Sequence, residues 1–342
     1  MWESMRERDL RSMIDVPAGG TRGPMLFLEQ IDWLTPGLEP GRLVVIGGYV
    51  GSYKTLMGIN MMYNNAIRNH YNVVFFSLEM YEKQIYQRLI VRHANNAIFS
   101  KYNQVITMTK VRNGKLSPDE RLFLDEVVIP DLMTNKIYGD ITIIDSLALG
   151  SNGIKDAVDY AEKKRQSQVG QEAGTVDMVV IDYIQLLAQY WGEGIGLDPM
   201  TATKIMARYL KDMALTFNNR GLVVVALSQL SRAAYMAARD AIRNSHEADP
   251  YQSIYSITSF AESSEIERAS DVCITIFSDE TLKGRHEALV QLIKNRDGDT
   301  IEKGFRVLAL PDATYIGDFK QDVGGRTIDD EIGDLLAEVP WA

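Results

Sequence analysis

The chain has 342 residues, 46% hydrophobic and 24% charged, an ordinary globular composition long enough for one large α/β domain or two small ones. A net charge of −10 gives no overall attraction to nucleic acid or to an anionic membrane, so any polynucleotide contact must be local. No apolar stretch approaches membrane-spanning length, the N-terminus lacks the apolar core of a signal peptide, and a single cysteine excludes an intrachain disulfide, so a reducing, cytoplasmic setting is expected.

Residues 1–20 read as a separate N-terminal arm, with Trp2, Met5, Leu10 and Met13 near helical spacing before a Gly-Gly break. A subunit-docking helix and a frayed terminus are both open readings. The apolar run Leu43–Ile46 then leads through Gly47-Gly48-Tyr49-Val50-Gly51-Ser52-Tyr53-Lys54-Thr55 into the helical stretch Leu56–Ile67. Strand, glycine-rich loop and helix in this order predict a phosphate-binding loop. Glycines let successive backbone N–H groups turn inward around phosphate oxygens, a lysine reaches the terminal phosphates, a hydroxyl meets magnesium, and the helix dipole favours the anion. Gly48, Gly51, Ser52 and Tyr53 would line the nucleotide, Lys54 would bind it, and Thr55 would also face the metal. Tyr53 stands where a glycine normally precedes the lysine. A side chain there is expected to need a backbone that avoids positive φ, leaving Gly51 to take the strained turn.

Further β-branched runs follow at Val73–Ser77, Ile141–Asp145, Met178–Asp182, Leu222–Ser228, Val272–Phe277 and Ala288–Lys294. Helical patterns separate most of them, which predicts an α/β fold with a mostly parallel central sheet and helices on both faces. Ile154–Gln168 carries an apolar stripe of Ile154, Ala157, Val158 and Ala161, with Lys163, Lys164 and Arg165 as a solvated helix end. Thr201–Phe217 sets Ile205, Met206, Tyr209, Leu210, Met213 and Phe217 on one sheet-facing side. Ala288–Lys294 and Gly304–Leu310 flank Asn295-Arg296-Asp297-Gly298-Asp299 and predict an antiparallel hairpin that ends the sheet. Two long loops are expected: Gln189–Met200, glycine-rich and without lysine or arginine, and Ser231–Ser264, with Arg232, Arg239 and Arg243. Cys273 reads as a buried structural thiol, and the four scattered histidines as surface or incidental residues without metal-ligand spacing.

Two carboxylates close apolar strands. Asp182, after Met178-Val179-Val180-Ile181, fits the acid that stands beside magnesium in phosphoryl transfer. Glu79, after Val73–Leu78, fits either a group that orients the attacking water or the N-cap or first-turn acid of the following helix.

Phe75-Phe76-Ser77-Leu78-Glu79-Met80, Val180-Ile181-Asp182-Tyr183-Ile184-Gln185-Leu186-Leu187, Ala226-Leu227-Ser228-Gln229-Leu230-Ser231-Arg232 and Lys294-Asn295-Arg296-Asp297-Gly298 resemble, in this order, the motifs of DnaB-type replicative helicases. The similarity runs from about Phe27 to Gly317. It implies a RecA-like P-loop ATPase over 21–317 that uses ATP and Mg2+, binds single-stranded DNA and assembles as a homo-oligomer, a hexameric ring. By resemblance Lys54 holds the β- and γ-phosphates, Thr55 and Asp182 the magnesium, and Glu79 the water. Gln229 is the γ-phosphate sensor, and Lys294 and Arg296 are offered in trans to the adjacent subunit's nucleotide, where a guanidinium would stabilise the charge of the transferring phosphoryl group. The arginines Arg232, Arg239 and Arg243 are DNA-contact candidates, with a solvated surface role equally open.

A motor without the family's helical N-terminal domain is expected. The tail, 318–342, has seven acidic and two basic side chains and therefore half the net charge of the whole chain. Its apolar residues Ile328, Ile332, Leu335, Leu336 and Val339 suit either a docking peptide for a replication partner or a solvating end. Beside the ring-forming helicase stand two alternatives: a RecA-like ATPase without unwinding activity, and a nucleotide-binding scaffold.

Overall fold

Continuous apolar residues in short extended runs need a layer on each side of a sheet, and the chain supplies it. The structure, a computed structural model, describes residues 23–35, 37–145, 153–244, 254–256, 258–259 and 264–319. The N-terminal arm, the centre of the second loop with His246, and the tail beyond Phe319 lie outside these residues. Nine strands form one sheet: β1 (Leu43–Gly48), β2 (Asn72–Ser77), β3 (Ile141–Ile144), β4 (Val176–Asp182), β5 (Val223–Gln229), β6 (Val272–Phe277), β7 (Glu287–Asn295), β8 (Ile301–Leu310) and β9 (Tyr315–Gly317). Their order is β3-β2-β4-β5-β1-β6-β7-β8-β9. The first six in that order are parallel and the last three antiparallel.

Among the described residues, six helices have ten or more residues: α1 (Lys54–Asn69), α2 (Glu82–Ala94), α3 (Gly153–Val169), α4 (Ile184–Glu193), α5 (Pro199–Thr216) and α6 (Arg232–Asn244). The two-residue period of the strands divides the core. Val45, Phe76, Ile181 and Ala226 face one way and meet Val158 of α3 and Met206, Leu210 and Met213 of α5. Ile46, Phe75, Val180 and Val225 face the other way and meet Ile59, Met62 and Tyr63 of α1 with Ile85 and Leu89 of α2. Both faces are therefore dry, as a parallel sheet requires.

The structure departs from the sequence reading in five places. Most of the glycine-rich loop is helix: α4 runs to Glu193, and Asp198, whose carboxylate accepts from Thr201 N, caps α5 one residue before Pro199. The start of the second loop is α6. Ile205 of the expected inward stripe is exposed. The hairpin does not end the sheet, since β9 pairs with β8 beyond it. His93 is fully buried, bonded to the Tyr63 hydroxyl (2.7 Å) and to Asp131 (2.9 Å), because α2 supports a helical insertion with its own small core around Phe99, Phe123 and Val128. Cys273 is buried as expected, its thiol within 2.9 Å of Ser270 Oγ.

Candidate active site

The phosphate loop sits where β1 ends, between β5 and β6. Register places Gly48 opposite Gln229 on one side and Ile276 on the other. A Cβ at Gly48 would fall 2.3 Å from Ser52 Oγ and 2.8 Å from the Ile276 carbonyl oxygen, so only glycine lets the loop close there. Ser52 is buried, and both its hydroxyl (2.6 Å) and its backbone N–H (3.2 Å) donate to the Tyr49 carbonyl, which closes the loop on itself. Gly51 has φ +72° and Tyr53 has φ 70°, ψ 17°. The expectation that a side chain at 53 would keep φ negative is therefore wrong: Gly51 does not relieve Tyr53, and both residues take the left-handed turn. What retains the tyrosine is its ring, half-buried against the α1 side of the core, with Lys283 Nζ 5.9 Å from its centroid.

Behind the loop lies a cleft of about 300 Å³ lined by Gly51 to Leu56, Glu79, Met80, Arg88, Tyr183 and Gln229, among others. Thr55 Oγ1 donates to Asp182 Oδ2 at 2.8 Å. Asp182 is 2% exposed at the end of β4, and burial raises its pKa to about 6, opposed by the Thr55 hydrogen bond and the Lys54 charge. Burial likewise draws the Lys54 ammonium down to about 8, against the pull of Asp182 and Glu79, and Lys54 Nζ donates to the Tyr49 carbonyl at 3.0 Å. A desolvated lysine and a desolvated carboxylate in one cleft suit a multiply charged phosphate with its cation. Thr55 and Asp182 together present a hydroxyl and a carboxylate oxygen, the hard donors that magnesium prefers. Glu79 is exposed on the cleft wall, two residues past the end of β2 and two before Tyr81, the residue that caps α2, so it precedes the helix instead of opening it.

Three residues of this region escape sequence reasoning. Arg88, on the inward face of α2 between Ile85 and Leu89, lines the cleft, and its buried Nε has no hydrogen-bond partner among the described residues. Two arginines, Arg88 and Arg92, on the same helical stripe as Ile85 and Leu89 were its available signal. Gln185 of α4 donates to Ser228 Oγ and to the Gln229 carbonyl, both at 3.0 Å, and accepts from Gln229 N at 3.1 Å. Its side-chain amide thereby replaces a strand partner where β4 has ended and fixes Gln229 beside Gly48. Tyr183 follows Asp182 and lines the same cleft.

Lys294 and Arg296 lie elsewhere. Because β7 is antiparallel to β6, Lys294 pairs with Cys273 near the start of β6, at the end of the sheet away from the phosphate loop. Arg296 meets the buried carboxylate of Asp271 at 2.7 Å, which also holds Lys211 Nζ (2.6 Å) and Leu43 N (2.8 Å). Lys294 Nζ donates to the carbonyls of Glu267 and Ser270. From Leu43 to Gly48 the strand rises about 16 Å, so neither cation shares the cleft of its own chain. Arg232, Arg239 and Arg243 are exposed on α6, not in a loop. Their spacing of seven and four residues aligns all three on one helical stripe roughly 16 Å long.

The family model described as DnaB-like helicase C terminal domain matches residues 26–308. A probable replicative DNA helicase of Guillardia theta is 31% identical over 203 residues, 59% of this chain and 29% of its own length. The replicative DNA helicase DnaB of Haemophilus influenzae is 25% identical over 85% of this chain and 54% of its own, so the chain spans about half or less of these relatives. Among solved structures, the ATPase domain of G40P superposes with a TM-score of 0.70 at 21% identity, covering 91% of this chain and 96% of that one. A DnaB-like replicative helicase, solved in a study of its interactions with primase, gives 0.67 at 22% identity, covering 91% of this chain and 67% of that one. These likenesses carry the fold, a RecA-like P-loop ATPase. With the match to 26–308 spanning both the phosphate loop and the β7–β8 hairpin, the chain belongs to the family of DnaB-like helicase C-terminal domains.

Proposed function

We propose that this chain is an ATP-hydrolysing motor that moves along single-stranded DNA as a ring of copies, six by family resemblance, and unwinds duplex ahead of it. The observation that carries the reading is the division of the machinery: Lys54, Thr55, Asp182, Glu79 and Gln229 surround the β1 end of the sheet, while Lys294 and Arg296 stand at its opposite end. A finger that cannot serve its own phosphate loop is suited to a neighbour's. Lys54 would bind the β- and γ-phosphates of ATP, Thr55 and Asp182 would hold Mg2+, and Arg88 would meet phosphate charge from the α2 side. Magnesium, when bound, neutralises the phosphate oxygens. Glu79 would orient the water, and Gln229, fixed by Gln185, would register the γ-phosphate. The arginine stripe of α6 would follow the DNA backbone without reading sequence.

The division into an arm over 1–20, a motor over 21–317 and a tail over 318–342 belongs to the same proposal, with the tail as the docking peptide for a replication partner. Unwinding of a forked duplex with ATP and Mg2+, absent in Lys54→Ala, tests the whole reading. A fork left intact by protein that hydrolyses ATP on single strands would assign the non-unwinding ATPase instead. No turnover at all would leave the scaffold.

A further inference from the structure

Tyr49 is the first variable residue of the phosphate loop, and its ring stacks on that of Tyr235 with centroids 4.4 Å apart and planes 14° from parallel. Tyr235 belongs to α6, the helix that carries Arg232, Arg239 and Arg243. The same ring contacts the buried Phe277 at the end of β6 (5.6 Å), and the Arg239 guanidinium lies 5.9 Å from its centroid. At its other end, the main chain of Tyr49 accepts hydrogen bonds from Ser52 Oγ and Lys54 Nζ. One residue thus touches the lysine aimed at phosphate through its carbonyl and the arginine helix through its ring. The phosphate-loop pattern needs glycine at 48 and leaves 49 free, so loop closure alone does not call for this aromatic pair.

We propose that the Tyr49–Tyr235 pair positions the phosphate loop and couples it to α6, so that single-stranded DNA on the arginine stripe and nucleotide in the loop alter each other's affinity. The proposal rests on the ATP-site and DNA-contact readings above. A stacked pair keeps its full contact only if both rings move together, because a gap of about 0.5–1 Å already forfeits a quarter to a half of the attraction. A phosphate drawing Arg239 off the Tyr235 face shifts α6, the shift moves Tyr49, and the Tyr49 carbonyl then holds Lys54 or yields it to the nucleotide. Tyr49 and Tyr235 are positioning residues: neither needs to touch the reacting atoms.

The test is the dissociation constant of a slowly hydrolysed fluorescent ATP analogue, measured with and without saturating oligo-dT on the full chain. Wild type is expected to show a ratio differing from one by between about twofold and tenfold, the range an aromatic pair can transmit, and oligo-dT affinity should change by the same factor when nucleotide is added. Tyr235→Ala and Tyr49→Ala should bring both ratios to one while each ligand still binds alone. Tyr235→Phe, which keeps the stack, should retain the wild-type ratio. An unchanged ratio in both alanine variants, or a ratio of one in Tyr235→Phe, overturns the coupling while leaving the proposed function standing. Wild-type protein that fails to bind one of the two ligands overturns the proposed function, and the coupling falls with it.

Discussion

Replacing Tyr53 separates backbone strain from side-chain packing, because Tyr53→Gly and Tyr53→Ala both delete the ring and differ only in their tolerance of φ 70°. A left-handed backbone costs an alanine roughly 1–2 kcal/mol and costs glycine almost nothing. Glycine gives back about 0.4–1 kcal/mol through its freer unfolded chain. The glycine variant should therefore be the more stable of the two by about 0.5–1 kcal/mol, the reverse of their order in a helix interior. In urea titration, with a slope of about 3 kcal/mol/M, this separates the midpoints by about 0.2–0.3 M. Both should lie below wild type, which alone keeps the packing of the ring and the Lys283 contact. An alanine variant as stable as the glycine variant would refute the left-handed turn at 53, and with it the explanation of how this loop accommodates a tyrosine.

Lys54→Ala should lose nucleotide binding, whereas Glu79→Gln should bind normally and turn over more slowly by a factor of about 10²–10⁴, as removal of a water-orienting carboxylate predicts; equilibrium binding and steady-state hydrolysis on each variant check this. Changing Arg232, Arg239 and Arg243 together to Gln should reduce the slope of log affinity for oligo-dT against log salt by about 2, and an unchanged slope removes the stripe from the DNA contact. Burial lowers the His93 pKa against the opposing hydrogen bond and charge of Asp131. The unfolded chain therefore takes up a proton that the folded chain resists, so the His93 contribution is fully present above the unfolded value of about 6.5 and is lost as pH falls below it, by at most about 1.4 kcal/mol per pH unit. Wild type minus His93→Gln, followed by denaturant titration from pH 7.5 to 5.5, should show that decline, and a flat difference would contradict it.

The sheet was legible because its strands declare themselves as short apolar runs, rich in β-branched residues from β1 to β7, and β8 was found through its apolar half, Gly304–Leu310, across the hairpin turn. β9 is only Tyr315–Gly317, too short for any periodicity. The phosphate loop was legible for a different reason: glycine, lysine and threonine at fixed offsets answer to the shape of a phosphate and not to packing. Gln185 and Arg88 were hidden because their roles arise where a second strand stops and where a helix face turns toward the cleft, relations set by tertiary register. No such limit applies to α6. Its stretch, Arg232–Asn244, holds five alanines with Met236, Ile242 and three arginines and neither glycine nor proline, a helix-forming composition that was overlooked inside a long irregular segment, and on that helix the three arginines share one side. His93 was misread because its burial depends on an insertion whose core forms from residues up to 35 positions later.

Completion of each nucleotide site by Arg296 of an adjacent copy is the central claim. Arg296→Ala and Lys54→Ala subunits, each inactive alone, should regain hydrolysis when mixed, since an Arg296→Ala subunit keeps an intact phosphate loop and its Lys54→Ala neighbour supplies an intact finger. Arg296 also pairs with Asp271 within its own chain, so the mixture is best assayed at a temperature where both variants are fully folded. Turnover that rises with mixing to a maximum near equal proportions is the predicted result. Two inactive variants that demonstrably co-assemble and stay inactive at every ratio would contradict it.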